Sequence, residues 1–342
     1  MKKINLYFFR ALQLCLAFIS FSLASCSDAG DIVEIALDPP KRKPIDLTKL
    51  GTNNFFNVPQ FGTNAQQYSN MQQLKVKHVR ILIAWLDGTQ PTPTSPIDYS
   101  FYDNIINSAP AGIDILPVVV HVPTWMTNPS NWQNGDPKAT FVNKWLVPLV
   151  QRYKNNPRVV GWEIWNEPNA SVLDQDRVMG FDSNPSNYVA LLAQARSAIK
   201  SIDPSKLVVM AATTSLNQNY PNTLNYNKEM LNLGVAALTD VYNIHYYGTN
   251  YDKVIVRDGI ADTVNGAGKP VWVTESGEQG VSKQLAYAET TWPFLAEKIP
   301  AIQRIYQYQY GETQPPESTY GLRNTSTTAP VSDLYNYLIS AQ

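Results

Sequence analysis

The sequence predicts an α/β fold, a (β/α)8 TIM barrel, from three observations. Short β-rich runs alternate with helical stretches eight times from Gly51 onward. The alternation fills about 290 residues, within the size range of such barrels. Polar residues end several of the apolar runs, which is where a barrel of this kind carries its chemistry.

The first strand is expected over Gly51–Phe56 and the first helix over Gln66–Lys77. His78–Trp85 is rich in β-branched residues and reads as strand two, followed by a Pro/Thr loop and a helix near Tyr99–Ser108. Ile113–His121 is almost continuously apolar, as suits a third strand covered on both faces. Asp136 and Pro137 then supply an N-cap and a first-turn proline for a helix reaching Lys154. Val159–Glu167 is strand four and Ser186–Ile202 its helix, and Leu207–Thr213, Val241–Tyr247, Pro270–Glu275 and Arg304–Tyr310 complete the strands. Further helices fit near Leu224–Leu233, Lys253–Val264, Lys283–Lys298 and Val331–Ser340. A doubly wound open sheet is the alternative, but Gly51 and Gly62 make neither a dinucleotide fingerprint nor a P-loop.

The chain has 342 residues with 27 Lys+Arg against 28 Asp+Glu and 44% hydrophobic residues, so disorder and a polybasic nucleic-acid binder are both excluded. Its 8 Trp, 19 Tyr and 11 Phe beside only 16% charged residues favour ring-lined clefts. Lys2, Lys3 and Arg10 precede the apolar stretch Ala11–Leu23, which is short for a membrane span, and Leu23-Ala24-Ser25-Cys26 follows. This start resembles a bacterial lipoprotein signal. The resemblance implies a signal over 1–25, acylation of Cys26, and lipid attachment to a membrane of the cell envelope. Its removal leaves 24 cations against 28 acids, and Cys26 as the remaining cysteine, so no disulfide within the chain is expected. Residues 26–48, with Pro39-Pro40 and Lys41-Arg42-Lys43, read as a tether, and 49–342 as one catalytic domain.

In a barrel the informative residues are the polar ones at strand ends: Arg80 within strand two, His121 on three, Asn166 and Glu167 on four, His245 and Tyr247 on six, Glu275 on seven. Two glutamates ending different strands are the pair that glycoside hydrolysis needs, one protonated and one ionised. Arg80 is expected to keep Glu275 charged, and Trp162 and Trp165 to give Glu167 an apolar setting that raises its pKa. Glu163, deeper on strand four, reads as a supporting residue. Glu278, Glu312 and Glu317 read as loop residues, the last two in a solvated loop. Trp125 is a candidate sugar platform and Trp85 a candidate pocket floor.

Trp162-Glu163-Ile164-Trp165-Asn166-Glu167-Pro168, with a second glutamate 108 positions on in the run Gly268–Gly277 (GKPVWVTESG), resembles the retaining β-glycosidases of glycoside hydrolase clan A, in particular families 5 and 39. The resemblance implies that Glu167 is the acid/base and Glu275 the nucleophile. It implies that Asn166 binds the sugar 2-hydroxyl, that Arg80 and Tyr247 support Glu275, that His121 lies near the glycone site, and that His245 belongs with Tyr247 to a substrate-binding His-x-Tyr on strand six. Strand eight departs from the family 5 pattern, which places a Trp there; Tyr308 is the best match in this chain. A carbohydrate substrate is therefore expected, with no cofactor, no metal, no nucleic acid and a monomeric chain. The three histidines lack a His-x-x-x-His spacing and no Gly-x-Ser-x-Gly is present, which disfavours metallohydrolase and serine-hydrolase readings. The rival from another class is a surface lipoprotein on the same barrel that binds glycans without cleaving them. Such a protein usually lacks one of the two carboxylates.

Overall fold

The computed structural model describes residues 40–216, 222–254 and 259–341. The expected signal, Cys26 and most of the tether lie outside the described residues.

Eight strands form the barrel: β1 (Leu50–Asn53), β2 (His78–Ala84), β3 (Asp114–Val120), β4 (Gly161–Ile164), β5 (Leu207–Met210), β6 (Tyr242–Tyr247), β7 (Val271–Gly277) and β8 (Ile302–Gln307). They are all parallel, in the order β5-β4-β3-β2-β1-β8-β7-β6, and a parallel bridge from Val209 to Val241 brings β5 against β6 to close the ring. The predicted (β/α)8 barrel is the observed fold.

The helices begin where the sequence supplies caps. Asn64–Gln73 opens on a capping box made by Thr63 and Gln66. Asp136 caps Pro137–Phe141, which runs on through a π segment (Val142–Leu146) into Val147–Tyr153. Asn184 caps Pro185–Ile202 and Ser332 caps Asp333–Ser340. The barrel interior is plugged at its lower end by Leu116, Val209, Val241, Trp272 and Tyr306, so polar residues higher in the strands converge above an apolar floor.

Several strands stop short of their predicted ends. β4 leaves the ladder after Ile164 because Trp165 (φ 74) and Glu167 (φ 44) adopt left-handed backbone that no strand continues. His121 (φ 65) does the same just beyond β3. β8 starts two residues earlier than expected and ends at Gln307. There it passes so close to Gly277 on β7 that a Cβ on that glycine would lie 2.7 Å from the Tyr308 carbonyl oxygen.

Residues 40–48, the end of the expected tether, are fastened to the barrel. Arg42 pairs with Glu289, Lys43 lies 2.8 Å from Glu297, and Ile45 is buried. This segment and the Gln284–Lys298 helix flank a cavity of about 350 Å³ below the strands, lined by Ile45, Leu50, Trp292 and Ile305 among others. No helix among the described residues is long and apolar enough to cross a membrane.

Candidate active site

Arg80 is the hub of the mouth. It lies on β2, is 3% exposed, and spends its guanidinium on four side chains carried by β1, β4 and β7. Nε and Nη2 donate to the two Glu163 oxygens at 2.8 Å each, a bidentate pair across the barrel from β4. Nη1 donates to Glu275 Oε1 at 2.6 Å and to Asn53 Oδ1 at 2.9 Å, and Nη2 also to Asn166 Oδ1 at 2.7 Å. Burial alone would favour the neutral guanidine, but Glu163 and Glu275 outweigh it and keep Arg80 charged. With Asn166 Oδ1 engaged by Arg80, the group this amide has left to offer a ligand is its NH2.

Glu275 reaches the same centre from β7. The Tyr247 hydroxyl donates to its Oε2 at 2.9 Å, and His245 Nδ1 is 3.6 Å from that oxygen. Burial pushes the Glu275 carboxyl up, but the charges of His245 and Arg80 and the hydrogen bonds from Tyr247 and Arg80 overcome it, leaving the group below the usual carboxylate range. Burial, reinforced by the negative Glu275, pushes the Tyr247 phenol far up, so it stays a donor. Glu167 faces this pair from the end of β4, with its Oε1 2.8 Å from His245 Nδ1. One oxygen of Glu167, one of Glu275 and a ring nitrogen of His245 all lie within 4.8 Å of one another. Such a trio could also ligate a cation, but Arg80 and Tyr247 already occupy both Glu275 oxygens, and a resident guanidinium repels a metal ion.

Sequence reasoning thus located the residues that converge here: Arg80, Asn166, Glu167, His245, Tyr247 and Glu275. Tyr308 also packs at the mouth, edge-on to Tyr247 with ring centroids 6.1 Å apart. His121 sits at the end of β3 with its Nδ1 2.6 Å from Asp176 Oδ2, while Asp176 Oδ1 accepts from the Val122 N–H at 3.0 Å. Trp125 is half-buried on the rim, its indole N–H donating to the Gln90 carbonyl at 2.9 Å.

Three expectations are corrected. Trp85 is not a pocket surface: it is 0% exposed, stacked on Trp145 at 5.9 Å and covered edge-on by Trp125 at 5.2 Å. Trp162 packs toward Tyr153 in the helical layer rather than around Glu167, because residues alternate across β4 and Glu163 takes the inward position. Glu312 is not solvated; it is buried and accepts four hydrogen bonds from its own turn.

Two contributors went unseen in the sequence. Asn53, inside the first predicted strand, clamps Arg80 and donates from Nδ2 to the Thr274 carbonyl at 2.8 Å. An asparagine in a β-rich run carrying no apolar partner was the available signal. Asp176 lies in a 3-10 turn (Asp174–Met179) with no periodicity, and nothing local connects it to His121. Both carboxylates, one of which a non-cleaving glycan binder usually lacks, are in place.

The family model described as Cellulase (glycosyl hydrolase family 5) matches residues 40–307. A protein named probable mannan endo-1,4-beta-mannosidase F, from Aspergillus flavus, is 24% identical over 212 residues, covering 56% of this chain and 42% of its own. Mannan endo-1,4-beta-mannosidase A of Aspergillus aculeatus is 27% identical over 192 residues, 52% of this chain and 46% of its own. The matched stretch thus spans less than half the length of either relative. Among solved structures, a family 39 glycoside hydrolase from the gut symbiont Bacteroides cellulosilyticus superimposes with a TM-score of 0.59 at 16% identity, over 86% of this chain and 63% of that one.

Proposed function

A chain matched by that model from residue 40 to residue 307 belongs to glycosyl hydrolase family 5 and is a glycosyl hydrolase, and on that premise we propose that it is a retaining β-glycosidase acting on a β-linked polysaccharide, with Glu275 as nucleophile and Glu167 as acid/base. The observation that carries this reading is the close pair of carboxylates, oxygens within 4.8 Å, of which Glu275 is the one that the Arg80 guanidinium engages. Retaining enzymes hold their carboxyl groups about 5 to 5.5 Å apart, whereas inverting ones need about 6.5 to 9.5 Å to admit a water.

In the first step Glu275 attacks the anomeric carbon while Glu167 protonates the departing oxygen, giving a glycosyl ester on Glu275. In the second, Glu167 as carboxylate takes a proton from water, which displaces Glu275 and restores the original anomer. Arg80 and Tyr247 hold Glu275 ionised and aimed. Asn166, through its NH2, bonds the sugar 2-hydroxyl as charge develops, and His121, Tyr308 and Trp125 contact the remaining sugar surface, while His245, expected among the substrate-binding residues, is 0% exposed and acts through Glu167 from beneath.

β-1,4-Linked mannan is the substrate favoured by the names of the relatives, and their endo-acting names favour internal cleavage. The test is hydrolysis of mannan beside β-glucan and xylan, with the first-formed anomer read by proton NMR; appearance of the α anomer first rejects retention. We further propose that acylated Cys26 holds the monomer on the bacterial envelope. Cys26→Ala should abolish incorporation of labelled fatty acid and release the protein from membranes, and retention on membranes without label rejects it.

A further inference from the structure

The turn that follows β8 contains a third buried glutamate, after Glu163 and Glu275, for which the reaction above has no use. Glu312 is 5% exposed and, among the described residues, has no ion-pair partner. A carboxylate buried without a cation is costly unless its lone pairs are filled. Here Oε1 accepts from the Thr319 hydroxyl at 2.8 Å, from the Tyr320 N–H and from the Gly321 N–H at 3.2 Å, and Oε2 from Gln309 Nε2 at 3.1 Å. All four donors belong to the one turn. Its two sides are also tied directly, Gln309 N–H to the Tyr320 carbonyl at 3.1 Å and Leu322 N–H to the Gln309 carbonyl at 2.8 Å.

Tyr308 and Tyr320 project from this turn onto Tyr247, edge-on, with ring centroids 6.1 and 5.5 Å away. Tyr247 in turn donates to Glu275 Oε2 at 2.9 Å. We propose that Glu312 is a positioning residue for the nucleophile: it fixes the turn that carries Tyr308 and Tyr320, and their packing holds the Tyr247 hydroxyl on Glu275. This rests on the reading of Glu275 as nucleophile. Loosening the turn weakens a hydrogen bond to the ionised carboxylate, and losing such a bond raises the pKa of the acceptor.

The experiment is the pH profile of kcat/KM, on an aryl β-glycoside that the whole protein cleaves, for wild type, Glu312→Gln, Tyr247→Phe and the double variant. Tyr247→Phe should move the acid limb to higher pH, Glu312→Gln should move it the same way by a smaller step, and the double variant should go no further than Tyr247→Phe alone. Rate at the optimum should fall about tenfold in Glu312→Gln, mainly in kcat. A Glu312→Gln protein that melts earlier but keeps its acid limb overturns the proposal, as does a double variant whose shift is the sum of the singles. Should Glu312→Gln not fold, Thr319→Val removes one of the four donors and should move the limb slightly upward; an unmoved limb there also overturns it. Glu275→Ala separates the two claims. If that variant stays active, the nucleophile assignment falls and this proposal with it. If it is dead and rescued by azide while Glu312→Gln leaves the limb in place, only the role of Glu312 falls.

Discussion

Glu275 and Glu312 lie on the same side of the barrel, both buried and both surrounded by hydrogen-bond donors, yet they are pushed in opposite directions. Burial raises both. At Glu275 the charges of His245 and Arg80, with bonds from Tyr247 and Arg80, reverse the effect and leave it low. At Glu312 four neutral donors oppose burial without overcoming it, and the carboxyl stays high. The number of hydrogen bonds does not decide ionisation; the charge behind the donors does. A nucleophile has to be the first kind of carboxylate, and a clamp can be the second.

Their contributions to stability run oppositely with pH. A depressed carboxyl stabilises the fold above its ordinary value near 4.5, and that stability is lost as pH falls through the folded value. A raised one stabilises below its ordinary value, and that stability is lost as pH rises through the folded value.

The comparison breaks most severely at Glu275 itself. Glu275→Ala should lose turnover by about 10⁴-fold or more, with azide restoring an α-glycosyl product; undiminished turnover in a standard rate assay rejects the contrast outright. Next is Arg80, one of the two charges that separate Glu275 from Glu312. Arg80→Met leaves Glu163 and Glu275 buried without their cation and should cost about 3 to 5 kcal/mol of stability, measured by urea unfolding, along with an upward shift of the acid limb. Glu167→Gln should slow substrates with poor leaving groups by about 10² to 10⁴-fold and activated aryl glycosides far less. Equal losses across a leaving-group series count against its role as acid. The smallest effect sharpens the other side. Glu312→Gln cannot titrate, so its melting temperature should lag wild type more at pH 4 than at pH 7; the opposite trend contradicts a raised Glu312.

The barrel and the mouth were legible because both follow simple periodicities. Apolar runs of strand length alternating with capped helices dictate the fold, and Arg80, Glu167, His245 and Glu275 stand out as polar residues at positions that strands bury. What stayed hidden depends on contacts between distant segments. Asp176 meets His121 across 55 positions from a turn without pattern. Glu312, in a stretch rich in Thr, Pro and Ser, has the composition of a solvated loop, and only the folded turn brings Thr319, Tyr320 and Gly321 around it. Trp85 was misjudged for the converse reason. It ends a strand like its neighbours, but the Thr124–Thr127 turn folds Trp125 over it.

The strap from Arg42 to Ile45 fixes more than a chain end. It runs along the Gln284–Lys298 helix on the face where the strands begin, while Glu167 and Glu275 open from the face where they end. The chain that enters at residue 40 therefore joins the barrel on the back of the enzyme, and a polymer reaches the carboxylates from the opposite face, clear of that junction.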